Sequence, residues 1–175
     1  MSARWVRDAT PADAAACAEI YAPYVWDTAI SFEAEAPTAG EMGRRIAVAQ
    51  AQHAWLVLED ATGVLGYAYG GEFRSREAYR WACEVSVYVG QARQGSGGGR
   101  ALYEDLLARL RERGYRTATA AMTLPDDASA GLHRSLGFTP VGVWRRVGWK
   151  FGSWHDVALL QYDLGGGQDP PPELR

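Results

Sequence analysis

The chain has 175 residues, 47% hydrophobic and 22% charged, with a formal net charge of −3. That composition fits one globular domain, long enough to bury roughly 70% of its unfolded surface, and the acidic balance argues against a bulk nucleic-acid binder. Two cysteines, Cys17 and Cys83, exclude a disulfide scaffold or a cysteine zinc site, and no apolar run approaches the ~20 residues of a membrane helix.

In chain order, Arg4–Arg7 reads as a short first strand. Thr10-Pro11-Ala12-Asp13 opens a helix, with Thr10 as N-cap and Pro11 at the first helical position. Ala14, Cys17, Ala18 and Tyr21 follow at helical spacing, and Pro23 ends or kinks the helix. Residues 24–37 look irregular. Thr38-Ala39-Gly40-Glu41 has capping-box spacing and starts a second helix toward Gln52. The runs 54–58 and 64–69, joined by Asp60-Ala61-Thr62-Gly63, form a hairpin. After an excursion holding Arg74, Arg76 and Arg80, residues 83–89 form the strongest strand pattern of the chain.

Residues 91–100 are glycine-rich. Beyond them Ala101, Leu102, Leu106 and Leu110 mark one face of a helix that Gly114 stops, with Asp105 and Arg109 spaced to pair on its outer side. Tyr115–Met122 is a strand, and Asp126–Leu136 a short helix closed by Gly137. A tryptophan-rich hairpin region holds Trp144, Trp149 and Trp154, and residues 157–164 are a last strand. The tail from 165 to 175 has the composition of a disordered segment. Both cysteines are expected as buried thiols. Trp5, Trp55, Trp144 and Trp149 are expected in the core or in dimer contacts. The N-terminus lacks the long apolar segment of a secretory signal, so a cytoplasmic location is expected. His53, His133 and His155 have no metal-ligand spacing, so no metal is expected. The fold class is α/β (α+β): one domain, 1–164, with a mixed, mostly antiparallel sheet flanked by helices.

A strand, a glycine-rich turn and a helix make a geometry for anions, because the amides of the turn and first helical turn point outward unpaired. A Walker phosphate loop needs a lysine that is missing here. The dinucleotide fingerprint needs glycine where Arg100 stands. What fits is Gln94-x-x-Gly97-x-Gly99, which resembles the pyrophosphate-binding motif of the GCN5-related N-acetyltransferases. That family places the motif after its central strand and before a long helix, as here, and carries a later short helix ending in Gly-Phe, as in Leu132–Phe138. Three further segments, Trp81–Val89, Leu124–Asp127 and Gly148–Val157, resemble the phosphinothricin and methionine sulfoximine branch. Ser31-Phe32-Glu33 and Glu72-Phe73-Arg74 match it by position. The resemblance runs from about Arg4 to Leu164.

The resemblance implies acetyl-CoA as co-substrate and a small amine as acceptor, with no nucleic-acid or membrane partner, in a homodimer. Glu84 would be the base; it is a carboxylate at the start of an apolar strand, where burial raises its pKa. Val87, Tyr88 and Val89 would bind the thioester and pantetheine through their backbone. Gln94, Gly95, Ser96, Gly97, Gly98 and Gly99 would cradle the pyrophosphate. His133 would be an acid toward the leaving thiolate, and Asp126 and Ser129 would touch the cofactor. Arg74 suits a carboxylate or phosphinate; Phe32 and Phe73 would wall the acceptor pocket and Lys150 would add charge. Two other readings stay open: another acceptor, such as a polyamine, aminoglycoside or protein N-terminus, and a non-catalytic acyl-CoA-binding module.

Overall fold

The computed structural model describes residues 3–165 and 169–175. Seven strands form one sheet in the order β1-β2-β3-β4-β5-β7-β6: β1 (Trp5–Asp8), β2 (Trp55–Asp60), β3 (Gly63–Glu72), β4 (Ala82–Val89), β5 (Thr117–Thr123), β6 (Thr139–Lys150) and β7 (Ser153–Asp163). Every pairing is antiparallel except β4–β5. Helices α1 (Ala14–Trp26) and α2 (Ala39–Gln52) cover one face; α3 (Gly98–Glu112) and α4 (Asp127–Leu136) cover the other.

The strands' period of two sorts the core. On β2, Trp55 and Val57 join Cys17, Tyr21, Met42 and Ile46 under α1 and α2. Leu56 and Leu58 join Leu102, Leu106 and Leu110 of α3 on the other face. On β4, Cys83 and Val85 point to the α3 side, so Glu84, Ser86 and Tyr88 point to the α1–α2 side. Both cysteines are fully buried free thiols, and burial pushes each thiol pKa up to about 12, so neither is a ready nucleophile.

Several expected features take another form. Pro23 does not end α1; the helix runs to Trp26. A proline in the last turn removes one donor and leaves the buried Tyr24 and Val25 to hold the turn. Thr38 caps α2 as expected, its hydroxyl accepting from the Glu41 amide at 3.1 Å. Arg109 does not pair with Asp105. It reaches Asp8 at the end of β1, at 2.9 Å, while Arg100 and Glu104 make the i,i+4 pair of α3. The tryptophan-rich region is a long, irregular strand pair, and β7 starts four residues earlier than its apolar run. The register slips between Trp144 and Gly148, where Arg146 has φ +49° and its amide donates to the Asp156 carboxylate. Only Trp55 of the four tryptophans is in the core; Trp5, Trp144 and Trp149 are exposed.

Of the tail, residues 166–168 lie outside the described residues. Residues 172–175 lie along the body: the Trp81 indole donates to the Pro172 carbonyl at 3.0 Å, and the Arg175 amide to the Arg113 carbonyl at 2.9 Å. Among the described residues no helix is long and apolar enough to cross a membrane.

Candidate active site

The sheet forks just past Glu84. β4 pairs with β5 only at Ala82–Thr117, Cys83–Ala118 and Glu84–Thr119. Beyond that point β4 stays with β3 to Val89, and β5 stays with β7 to Thr123. Backbone groups of β4 that face the gap therefore lose their ladder partners, leaving donors and acceptors for a ligand. A cleft of about 60 Å³ lies in the fork, between Val85–Tyr88 of β4 and Ala121–Thr123 of β5. Asp126 at the N-cap of α4, Ser129 and His133 of α4, Tyr103 of α3 and Ile30 from the α1–α2 loop complete its lining. Val87, Tyr88, Asp126, Ser129 and His133, widely spaced in the sequence, thus meet in one place.

The glycine segment sits at the outer end of the fork. Gly97 caps α3 with φ +82°, a conformation that favours glycine, and Gly95 has φ +73°. A Cβ on Gly98 would stand 2.8 Å from Leu58, and one on Gly99 would stand 3.3 Å from Leu132 and within 4 Å of Val87 and Val89. Missing side chains at these two positions let the helix start nestle against the ends of β2 and β4, and the first turn of α3 leaves orphan amides there. Ser96 is held by Arg4, at 3.0 Å, and its hydroxyl donates to the Arg93 carbonyl. Gln94 turns inward: its amide nitrogen donates to the Tyr24 hydroxyl at 3.0 Å, and that hydroxyl donates to the Val89 carbonyl at 2.5 Å. The residues fit an extended phosphorylated thioester, with a glycine-lined helix start for the phosphates and a forked strand for the arm.

Glu84 stands at the base of the fork. Its carboxylate meets solvent on one side and is crowded by protein on the other. Partial desolvation raises its pKa above the ordinary carboxylate value, and the charge of Arg74 opposes that rise. Across β3, Gly71 is its register partner and leaves the space beside the carboxylate open.

His133 is buried and fully engaged. Nδ1 lies 2.8 Å from the Ser129 carbonyl, which only accepts, so Nδ1 carries the proton. Nε2 then accepts from the Tyr103 hydroxyl at 3.2 Å. Burial lowers its pKa, against the Ser129 carbonyl and Asp126, so the ring is neutral at pH 7. Asp126 caps α4 by accepting from the Ser129 amide at 2.9 Å, a task that aspartate and asparagine perform equally well.

The expected acceptor residues do not converge on one pocket. Lys150 donates to the carbonyls of Val25 and Ser31, both at 2.6 Å, and desolvation lowers its pKa. It ties the loop between α1 and α2 to the β6–β7 hairpin. Phe32 packs on that hairpin too: a Cβ at Gly148 would stand 2.2 Å from its ring. Phe73 lies elsewhere, edge-on to Tyr79 at 5.7 Å, with the Arg74 guanidinium 5.1 Å from its ring centre. Sequence reasoning missed Ile30, Ser86 and Tyr103. Tyr103 carried one signal, a hydroxyl on the otherwise aliphatic face of α3.

Residues 6–159 match the family model described as an acetyltransferase (GNAT) domain. The chain belongs to the GNAT acetyltransferases. It is 37% identical to a phosphinothricin N-acetyltransferase of Streptomyces viridochromogenes, over 95% of this chain and 91% of the relative. It is 38% identical to a methionine sulfoximine/methionine sulfone acetyltransferase of Pseudomonas aeruginosa, over 95% of this chain and 98% of the relative. A crystal structure of a phosphinothricin acetyltransferase from Sinorhizobium meliloti in complex with acetyl-CoA superposes with a TM-score of 0.92, at 35% identity, covering 99% of this chain and 95% of that one. The single-domain fold with its mostly antiparallel sheet is the fold that the resemblance implied.

Proposed function

We propose that this GNAT enzyme transfers the acetyl group of acetyl-CoA to the α-amine of a small amino acid or amino-acid-like inhibitor. The observation that carries the reading is Glu84 at the base of the β4–β5 fork, one step from the cleft and within the electrostatic reach of Arg74. When bound, acetyl-CoA supplies the thioester: a C–N bond forms as the C–S bond breaks, and the sulfur leaves as a thiol with a proton matching the one the amine gives up.

The chain's own residues do the rest. Gly95 to Gly99 and the first turn of α3 hold the phosphates through main-chain amides, with Gln94 tying that loop to α1. The backbone groups of Val87, Tyr88 and Val89 that face the gap align the pantetheine arm, with the Val89 carbonyl fixed by the Tyr24 hydroxyl. Glu84 accepts a proton from the acceptor's ammonium, directly or through one water. Its raised pKa narrows the gap to the amine and makes that transfer less uphill. Arg74 binds the acceptor's carboxylate. Asp126 and Ser129 fix the start of α4. We read His133 as a positioning residue that holds Tyr103, in place of the acid that the resemblance implies, because burial disfavours its protonated form. Lys150 and Phe32 act on the acceptor indirectly, by fixing the loop that carries Ile30 over the cleft.

The exposed Val143, Trp144, Trp149, Phe151 and Trp154 on the β6–β7 hairpin form an apolar surface suited to a second copy, which supports a homodimer. The cytoplasm is the compartment the reading requires, because acetyl-CoA must be at hand. Acetylation removes the amine's positive charge, which would disarm an inhibitor that mimics an amino acid. The test is a thiol-release assay with acetyl-CoA and single amines. Turnover of phosphinothricin or methionine sulfoximine at least ~100-fold above spermidine, in kcat/KM, is expected. Equal turnover of a polyamine or aminoglycoside would contradict the acceptor class. Coenzyme binding with no turnover of any amine would support the binding-module reading.

A further inference from the structure

Residues 73–81, which join β3 to β4, hold only one helical turn, at Glu77–Tyr79. They carry Arg74, which among the described residues enters no ion pair and acts electrostatically on Glu84. Within the segment a chain of contacts leads to Arg74. The Tyr79 amide donates to the Arg76 carbonyl at 2.9 Å and the Arg80 amide to the Glu77 carbonyl at 3.0 Å, which closes the turn. The Tyr79 ring meets Phe73 edge-on at 5.7 Å, and the Arg74 guanidinium lies 5.1 Å from the Phe73 ring centre. Where the turn stands therefore decides where Arg74 stands.

What holds the turn comes from the other end of the chain. Arg80 donates to Glu77 at 2.7 Å and to Glu173 at 3.2 Å, and its guanidinium lies 4.0 Å over the Trp81 ring. The Trp81 indole donates to the Pro172 carbonyl at 3.0 Å. Two consecutive residues of the segment thus grip two consecutive residues of the tail. The tail is itself anchored. Leu174 packs against the α3-side core, where a Cβ on Gly114 would stand 3.5 Å from it, and the Arg175 amide donates to the Arg113 carbonyl just past α3. Single exposed ion pairs contribute little, so the grip depends on the stacked indole and the packed Leu174 acting with them. A cavity of about 420 Å³ is lined by Arg74, Arg76 and Tyr79 from the segment and by Leu174 and Arg175 from the tail.

We propose that residues 172–175 brace the β3–β4 connection and so position Arg74 for the acceptor's carboxylate. A long, exposed arginine loses rotamer freedom when it grips a ligand, and a segment that is already fixed has less freedom to lose. The tail does not line the fork cleft. It acts through Arg80 and Trp81 on the turn, and through Tyr79 and Phe73 on Arg74. Its contribution is therefore to acceptor affinity, and the chemical step and the coenzyme are left alone. The proposal rests on the acetyl-transfer reading and goes beyond it by giving the C-terminal segment a part in acceptor binding.

The experiment measures kcat and KM for L-methionine sulfoximine and L-phosphinothricin at saturating acetyl-CoA. It uses the full chain, the double variant Glu173→Ala/Leu174→Ala, Arg74→Ala, and the three substitutions combined. The tail variant should raise the acceptor KM at least ~5-fold, with kcat and the acetyl-CoA Kd within twofold of wild type. In the Arg74→Ala background the same tail substitutions should change kcat/KM by less than ~1.5-fold, because the group they position is gone. Trp81→Phe keeps an aromatic ring beneath Arg80 and removes only the indole donor, so KM should rise ~2-fold, and Leu174→Met should match the wild type. Circular dichroism checks that each variant is folded. Equal losses in both backgrounds, a loss that falls on kcat or on coenzyme affinity, or an unchanged KM in the folded tail variant would each overturn the bracing role while leaving acetyl transfer intact. Failure of the wild type to turn over either amino acid with acetyl-CoA bound would overturn the acceptor reading and this proposal together.

Discussion

The two sides of the fork are built differently. The proposed donor side is a backbone structure: a helix start without side chains at Gly97, Gly98 and Gly99, and a strand released from its neighbour past Glu84. The proposed acceptor side is a side-chain structure drawn from distant parts of the chain. Phe32 packs on Gly148, and Lys150 holds carbonyls 125 and 119 residues away. A site made of consecutive amides leaves a local mark in the sequence, and one made of tertiary contacts does not.

The largest effect is expected where the two sides meet. Glu84→Gln keeps the shape and removes the proton acceptor, so kcat should fall ~10²-fold or more in steady-state assays, with the acetyl-CoA Kd within twofold of wild type. A similar loss in coenzyme affinity would mean that the two sides are not separable at this residue. Next is the donor side alone. Gly97→Val places a branched side chain at φ +82°, so calorimetry should show acetyl-CoA binding weakened at least ~10-fold, or ~1.4 kcal/mol, with the fold intact. Unchanged affinity would remove the loop from the coenzyme site.

On the acceptor side, Lys150→Met cuts the tie between the α1–α2 loop and the hairpin. The acceptor KM should rise several-fold while kcat and coenzyme affinity change less than threefold. A loss confined to acceptors with anionic side chains would instead return Lys150 to direct substrate binding. The smallest effect concerns stability. His53 caps the C-terminal end of α2, and its pKa is pushed down to about 4, by burial first and by Arg113 second. Between about pH 6.5 and pH 4 the unfolded chain then holds more protons at this site than the folded one. Its contribution to stability is complete above that window and is lost as pH falls through it. His53→Phe should flatten the Tm against pH curve there, and an equal slope in the variant would assign the acid sensitivity to other groups.

The same division explains what the sequence allowed. The order of strands and helices, the N-cap at Thr38 and the glycine loop were legible because each depends on neighbours within a few residues. The site role expected of Lys150 was not, because its two acceptors are carbonyls, which have no identity in a sequence. The neutrality of His133 was equally hidden, since it follows from burial against Tyr103. Arg109 chose Asp8 over the helical neighbour Asp105 only because folding brings β1 alongside α3. Strand β6 lacked a readable pattern because its face is exposed and its register is broken by bulges.

The central claim is that Glu84, raised by partial desolvation, takes the acceptor's proton at the meeting point of the two sides. The most direct measurement is the pH dependence of kcat/KM for one amino-acid acceptor, in wild type and Glu84→Gln. A raised carboxylate pKa places the wild-type acid limb above the ordinary range of ~4.3, with activity lost as pH falls through it. The account predicts that limb in the wild type and its absence from the residual activity of Glu84→Gln; an acid limb that persists unchanged in the variant would contradict it.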